Sequence, residues 1–88
     1  MKTKQFTVVD SQGIHARPAS QLVAAATPFA SSIELKTEER TANLKSILSV
    51  MALGLKQGAI FTLQVEGEDE EQAFTALTKL ISETGLAQ

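Results

Sequence analysis

The chain has 88 residues, 43% of them hydrophobic, so we expect one compact domain spanning residues 1–88. It has no cysteine and one histidine, which excludes disulfides and cysteine-ligated zinc and argues against a histidine-based metal site. A net charge of −2 argues against direct binding of nucleic acid, which normally requires a basic face. We find no signal-peptide pattern and no apolar run that approaches a membrane span. We therefore expect a cytoplasmic protein without membrane insertion.

The first two predicted elements are a strand and a helix. Residues 5–9 are rich in β-forming side chains, and residues 10–13 end this strand in a loop. Apolar residues then recur at helical spacing from Ala16 to about Thr27, where Pro28 discourages continuation. The helix therefore begins directly after a glycine-containing loop.

Two strands are predicted next. Residues 32–37 alternate with period two, which places Ile33 and Leu35 on the core face. Residues 40–43 can return as a short third strand after a turn at Glu38-Glu39. That turn lacks the Asn-Gly or Asp-Gly pair that most strongly favours a hairpin.

The second half of the chain predicts a short helix, a strand and a long helix. Ser46 begins the helical residues 47–53, and Gly54 closes them. Residues 59–66 alternate as the clearest strand. Asp69 has the character of an N-cap for the last helix, which Gly85 ends. The order βαββαβα predicts an α+β fold with a four-stranded antiparallel sheet covered on one face by helices, leaving the other face to water.

The only histidine lies at the predicted start of the first helix. In the run GIHARPAS, Gly13 permits a sharp turn and Pro18 suits the first helical turn, where an amide proton lacks a partner. His15 would then lie beside the free backbone amides of Ala16 and Arg17, an arrangement that binds anions. The residues therefore predict a nucleophilic imidazole beside a phosphate cradle. The simpler interpretation of His15 is a polar cap or a surface residue.

Arg17 strengthens the interpretation of this helix start as a phosphate site. Its guanidinium can form paired hydrogen bonds to phosphate oxygens. A cation is disfavoured in the first turn of a helix unless an anion is present. The same positive helix end disfavours positive charge on His15 and leaves the ring able to attack phosphorus. An ordinary solvated arginine remains the alternative.

Ser46 and the residues after it form a second candidate site. Serine is a good N-cap, and capping alone would explain it. A phosphate at a helix start is also electrostatically favourable. The neighbouring Ile47, Leu48 and Met51 cannot all face inward with Val50, so some must be exposed, which is typical of interaction surfaces. An imperfectly amphipathic helix in which Met51 fills a gap is equally compatible.

These motifs resemble HPr, the histidine-containing phosphocarrier family of the bacterial phosphoenolpyruvate-dependent sugar phosphotransferase system. The resemblance rests on GIHARPAS, on the run from Asn43 to Ile47 and on Leu53-Gly54 followed by Gly58, and it spans essentially the whole chain. It implies an open-faced β-sandwich with three helices. It also implies that the protein is not an enzyme with its own turnover and needs no cofactor or metal.

The resemblance further implies partners and residue roles. His15 would take a phosphoryl group from enzyme I and pass it to enzyme IIA domains, and Arg17 would assist. Ser46 would be modified by an HPr kinase/phosphorylase of the Gram-positive type, and the modified form would act with a catabolite control transcription factor. The docking surface would combine Ser20 and Val23 with Ile47, Leu48 and Met51. A monomer is the simplest state for a carrier that meets several proteins through one face.

Three alternatives are left open, one within the same family and two from other classes. A regulatory paralogue would act mainly through Ser46, although the presence of His15 argues against the purely regulatory variant. A sheet module that binds RNA or a small ligand would need stacking aromatic residues, which the predicted open face lacks. A small phosphatase would need a general base or acid, and none accompanies His15 in the sequence.

Overall fold

The computed structural model describes residues 1–88, which form four strands and three helices in the predicted order βαββαβα. In chain order the elements are β1 (Lys2–Thr7), α1 (Ala16–Ala26), β2 (Ser32–Lys36), β3 (Thr41–Asn43), α2 (Ile47–Ala52), β4 (Ile60–Glu66) and α3 (Glu70–Glu83). The predicted α+β class with one antiparallel sheet and three helices is confirmed. None of the helices is long and apolar enough to cross a bilayer.

The four strands form one antiparallel sheet in the order β1-β4-β2-β3. The two central strands, β4 and β2, carry the apolar cross-strand pairs, such as Leu35 opposite Leu63. At the β1–β4 seam Phe6 lies opposite Phe61, with their ring centroids 5.5 Å apart and nearly parallel. Such pairs fix the register, because a slip of one residue would turn the apolar set to the solvent face.

The helices cover one face of this sheet and leave the other face open. Alternate residues of β2, β3 and β4 point into the core, whereas β1 buries only Phe6, and the residues between the buried ones are polar with the exception of Ile60. The helices bury one stripe each, contributing Ala19, Leu22 and Ala26 from α1, Val50 from α2, and Ala73, Leu77 and Ile81 from α3. All of these belong to one continuous core, as expected for a single sheet covered by a helical layer.

The first strand differs from its prediction at both ends. It was expected over residues 5–9 and instead spans Lys2–Thr7. Pairing with β4 begins at Lys2, because backbone hydrogen bonds form regardless of the polar side chains of this segment. Val8 still bonds to the segment before β4, and its amide donates to the Ala59 carbonyl at 2.9 Å, but the Val9 amide donates to the Leu86 carbonyl, also at 2.9 Å. The end of β1 is therefore set by the distant C-terminus.

The turn between β2 and β3 forms without a glycine or asparagine, the residues that most strongly favour a hairpin. The backbone amide of Thr37 donates to the Arg40 carbonyl at 2.8 Å, and the Thr37 hydroxyl accepts from the Arg40 amide at 3.1 Å. Both residues between them, Glu38 and Glu39, keep negative φ angles. The threonine side chain thus closes a turn that the sequence motif did not signal.

Asp69 occupies the N-cap position of α3, but its side chain makes no capping hydrogen bond. Its carboxylate instead accepts from the backbone amides of Ala30 and Ser31, each at 2.9 Å, and from the Ser31 hydroxyl. The predicted capping role is therefore wrong for the side chain. Glu70 reaches back to the Gly67 amide at 3.2 Å, which satisfies an amide just before the helix.

Candidate functional site

The loop before α1 is held in one conformation by contacts with the segment after α2. The Ile14 amide donates to the Leu55 carbonyl at 2.8 Å, and the Gly13 amide donates to the Asp10 carbonyl at 2.9 Å. Gly13 has a φ of +70°, and a Cβ there would clash with the Leu55 carbonyl oxygen. Only glycine suits both the backbone angle and the space. The sharp turn predicted at Gly13 is therefore confirmed.

His15 is the N-cap residue of α1. Its backbone is extended, with φ −99° and ψ −168°, and its carbonyl accepts from the Ala19 amide at 3.0 Å. The imidazole makes no capping hydrogen bond and is exposed. The backbone amides of Ala16 and Arg17 find no acceptor in the chain. The start of α1 thus has two unpaired amide donors, and the imidazole that precedes them makes no hydrogen bond that stabilises the helix.

Arg17 is also unengaged within the chain. Its side chain is exposed and forms neither an ion pair nor a hydrogen bond with another residue. Pro18 follows it and is buried, and it brings no amide proton to the first turn. The guanidinium is consequently available to an anion that approaches the helix start.

A cleft of about 420 Å³ lies beside this helix start. His15 and Arg17 line it together with Asp10, Pro18, Gln21, Thr84 and Leu86. Thr84 and Leu86 come from the end of α3 and the residues after it, so opposite ends of the chain meet at this cleft. Sequence reasoning missed these two residues, because no local pattern links residue 15 to residue 86. Gln21, four positions after Arg17, was detectable from helical spacing.

Ser46 is the N-cap of α2 as predicted. Its hydroxyl oxygen accepts from the Ser49 amide at 3.2 Å, and its own amide donates to the Asn43 carbonyl at 3.0 Å. The side chain is half-buried. Lys45 was not singled out from the sequence. Its ammonium group donates a hydrogen bond to the Phe29 carbonyl at 2.6 Å. This bond ties the start of α2 to the segment that follows α1.

The exposed side of α2 carries an apolar patch. Leu48 is 84% exposed, Met51 is 41% exposed and Ile47 is 40% exposed, whereas Val50 is fully buried. The prediction that some of these side chains must be exposed is confirmed. The helix α1 packs against α2. Two residues of α1, the exposed Ser20 and the half-buried Val23, therefore lie on the helix that neighbours this patch.

The charged groups with perturbed pKa values lie at the start of α3 and line neither the cleft nor the patch. The Ser31 hydroxyl and the neighbouring amides lower the pKa of Asp69. The N-terminal ammonium group, 2.9 Å from the Glu70 carboxylate, lowers the pKa of Glu70. No group of three or more acidic or histidine side chains is close enough to hold a metal ion.

Comparisons with family models, known sequences and solved structures all find the same kind of protein. Residues 2–83 match the family described as the PTS HPr component phosphorylation site. The chain is 74% identical to the phosphocarrier protein HPr of Lysinibacillus sphaericus, with 100% of both chains covered. Its structure matches the histidine-containing phosphocarrier protein of Mycoplasma with a TM-score of 0.95 at 39% identity, covering 99% of each chain.

A further solved relative is the Bacillus subtilis catabolite repression protein Crh, described as an intertwined, domain-swapped dimer. It is 36% identical to this chain, with a TM-score of 0.74, covering 83% of this chain and 84% of that chain. Family match, full-length identity and fold agree with each other and with the arrangement around His15. The chain therefore belongs to the HPr family, the phosphocarrier proteins of the phosphotransferase system.

Proposed function

We propose that His15 is the residue that carries the phosphoryl group in this phosphocarrier. The group would come from phosphoenolpyruvate through enzyme I and leave to sugar-specific enzyme IIA domains. One observation supports this most strongly: an exposed imidazole free of structural hydrogen bonds precedes two unpaired amides and an unpaired guanidinium.

The chemistry is a nucleophilic displacement at phosphorus. The lone pair of the unprotonated ring nitrogen of His15 forms the N–P bond, while the bond between phosphorus and the donor breaks and its electrons leave with the donor. Transfer onward reverses these roles, with an acceptor nucleophile on the enzyme IIA domain. The chain gains and loses one phosphoryl group per cycle and is otherwise unchanged, as expected of a carrier.

The surroundings of His15 stabilise the charge on the transferred group. The amides of Ala16 and Arg17 point out of the helix start, and the positive end of the helix dipole favours a negative group there. The Arg17 guanidinium can reach the equatorial oxygens, which carry the developing charge. Because these donors are already unpaired, no internal bond must break before the phosphoryl group binds.

Ser46 is proposed as a second, regulatory phosphorylation site for an HPr kinase/phosphorylase that uses ATP. A phosphate at the N-cap keeps the acceptor role toward the Ser49 amide and adds favourable charge at the helix start. It would also place negative charge beside Ile47 and Leu48. That change would weaken docking to transport partners and create a surface for a catabolite control transcription factor.

The patch on α2, with Ser20 and Val23 on α1, is the proposed docking surface for these partners. Its three exposed apolar side chains lie on the helix next to the one that presents His15. We propose that the carrier acts as a monomer, so that this surface stays free. Size-exclusion chromatography with light scattering would give the monomer mass, whereas an exchanged dimer such as that described for Crh would give twice that mass.

The RNA-binding alternative gains no support from the open sheet face. Phe6 and Phe61 are buried, and Phe29 and Phe74 are partly buried against the core, so no aromatic ring is offered for stacking on that face. The face carries mainly threonine, glutamine and single charges.

The test of the primary proposal uses phosphoenolpyruvate, enzyme I and the purified chain. We expect the chain to acquire phosphate that is lost in acid and stable in base, and we expect the His15→Ala variant to acquire none. Arg17→Ala is the matched variant, since it keeps the nucleophile and should be phosphorylated more slowly. Equal labelling of the His15→Ala variant would exclude His15 as the acceptor.

A separate reaction tests Ser46. With ATP and the kinase, the chain should acquire acid-stable phosphate that is absent from Ser46→Ala and unaffected by His15→Ala. If only this second reaction occurs and enzyme I transfers nothing, the regulatory-paralogue alternative replaces the carrier function.

A further inference from the structure

The last three residues, here named the C-terminal segment (residues 86–88), lie against the outer edge of β1. Leu86 and Ala87 are each only 2% exposed. Gln88 exchanges two backbone hydrogen bonds with Thr7, at 2.7 and 2.9 Å, and Ala87 forms a β-bridge with Val8. The C-terminal segment is therefore a built part of the sheet edge.

One carbonyl in this segment holds two successive amides of the loop that leads to α1. The Leu86 carbonyl accepts from the Val9 amide at 2.9 Å and from the Asp10 amide at 3.2 Å. Asp10 in turn accepts from the Gln12 amide through its carboxylate, at 2.8 Å, and from the Gly13 amide through its carbonyl, at 2.9 Å. Hydrogen bonds thus run without a gap from the C-terminal segment to the turn before the N-cap of α1.

The same region also forms one wall of the cleft beside His15. Thr84 and Leu86 line that cleft with Asp10, His15 and Arg17. Leu86 therefore supports the loop before His15 through the Asp10 turn, and it lines the same cleft as the imidazole. The opposite side of the loop is fixed independently by the bond from Ile14 to the Leu55 carbonyl.

We infer that the C-terminal segment is a positioning element for phosphoryl transfer, which holds the Asp10 turn and thereby fixes the backbone that carries His15 at the start of α1. The inference rests on the proposed function of His15. Phosphoryl transfer depends on in-line placement of the nucleophile, and small displacements of the reacting group lower its rate steeply. None of the apolar patch residues of α2 lines this cleft, so loss of the C-terminal segment should affect transfer more than docking.

The test compares the full chain with a variant ending at Gly85, using enzyme I as phosphoryl donor. We expect kcat to fall about tenfold and KM for the carrier to change less than about twofold. The loss should persist at high salt, which screens any effect of the relocated terminal carboxylate. Phosphoramidate, a donor that needs no docking, should show the same fall in rate. An unchanged kcat in a folded variant would overturn the inference.

Two further measurements keep the inference testable if that variant fails to fold. A variant ending at Leu86 keeps an acceptor oxygen on residue 86, now in the terminal carboxylate, and loses the pair with Thr7, so its kcat should fall less, by about threefold. In the full chain, the Val9 and Asp10 amides should exchange hydrogen slowly. Rapid hydrogen exchange at both amides would contradict the inference. Full activity of the variant ending at Leu86, which lacks the pair with Thr7, would also contradict it.

Ile33→Val is the matched control for lost stability. It trims the core in β2, away from the cleft, so its kcat should equal that of the full chain. If Ile33→Val slows transfer as much as truncation does, general destabilisation explains the effect and the positioning role fails. If the full chain itself receives no phosphate on His15, the proposed function fails instead, which separates the two results.

Discussion

At the scale of single residues, His15 and Arg17 stand out as candidate functional residues because their side chains contribute little to the fold. Neither side chain makes a hydrogen bond or ion pair within the chain, and both are exposed. Gly13 and Pro18, in contrast, are buried residues that shape the turn and the first helical turn. The motif therefore contains two kinds of residue: Gly13 and Pro18 shape the helix start, and His15 and Arg17 are exposed there without a structural role.

Substitution of Arg17 should separate its charge from its geometry. Arg17→Ala should slow phosphoryl acceptance by about a hundredfold, and Arg17→Lys by less, because lysine keeps the charge without the paired donors. The free energy of unfolding should change by less than about 0.5 kcal/mol in both variants, since the side chain has no internal partner. Rapid-quench rates and urea unfolding measure the two quantities. Equal rates for all three proteins would remove Arg17 from the site.

Gly13→Ala should lower both the free energy of unfolding and the rate of phosphoryl transfer. The positive φ and the clash with the Leu55 carbonyl predict a loss of about 1–3 kcal/mol in the free energy of unfolding. The Gly54→Ala variant is a useful control, because it also has positive φ but meets no neighbouring atom within 4 Å. A larger loss in the control than in Gly13→Ala would show that the contact with Leu55 is unimportant.

At the scale of elements, α2 depends on its cap more than the longer helices do. It has only six residues, and one side chain, Val50, is fully buried. Short helices gain little from their own hydrogen bonds, so a cap that satisfies a terminal amide is a large part of their stability. The element and its cap were both predictable from the serine followed by an apolar run, whereas the Lys45 bond to Phe29 was not.

Ser46→Ala should lower the free energy of unfolding by about 1 kcal/mol, because the Ser49 amide loses its acceptor. Ser46→Asp should retain most of the stability, since aspartate is also a good cap and suits the helix dipole. Urea unfolding monitored by circular dichroism gives both values. Greater stability of Ser46→Ala than of Ser46→Asp would contradict the capping role.

Element boundaries show where sequence reasoning stops. The start of α1 was predicted at about Ala16, where it lies in the structure, because its signals are all local. The limits of β1 were not, because pairing with β4 and with residue 88 determines them. The Asp69 side chain was misassigned for the same reason: its partners lie 38 and 39 residues away in the chain.

At the scale of the whole molecule, Asp69 connects the loop before β2 to the start of α3. Its three hydrogen bonds join Ala30 and Ser31 to the last helix, and Gly67 packs directly against Ser31. The lowered pKa of Asp69 means that folding favours the ionised carboxylate. Its contribution to stability is therefore complete above the ordinary aspartate pKa of about 3.9 and is lost as pH falls through the lower folded-state value.

The stability of the chain should therefore fall on acidification below about pH 4, and Asp69→Asn should weaken this dependence. A remainder should persist, because the pKa of Glu70 is lowered too and titrates in the same direction. Urea midpoints measured across this range for both proteins provide the test. Parallel curves for the full chain and Asp69→Asn would show that this carboxylate is not responsible.

The central claim is that the phosphoryl group rests on His15 against the amides of Ala16 and Arg17. The most direct test is a ¹H–¹⁵N NMR spectrum of the chain before and after phosphorylation by enzyme I and phosphoenolpyruvate, with ³¹P detection of the product. The account predicts a phosphorus signal typical of an N–P bond, and the largest amide shifts at residues 16 and 17. A phosphorus signal that remains in His15→Ala, or largest shifts away from the start of α1, would contradict it.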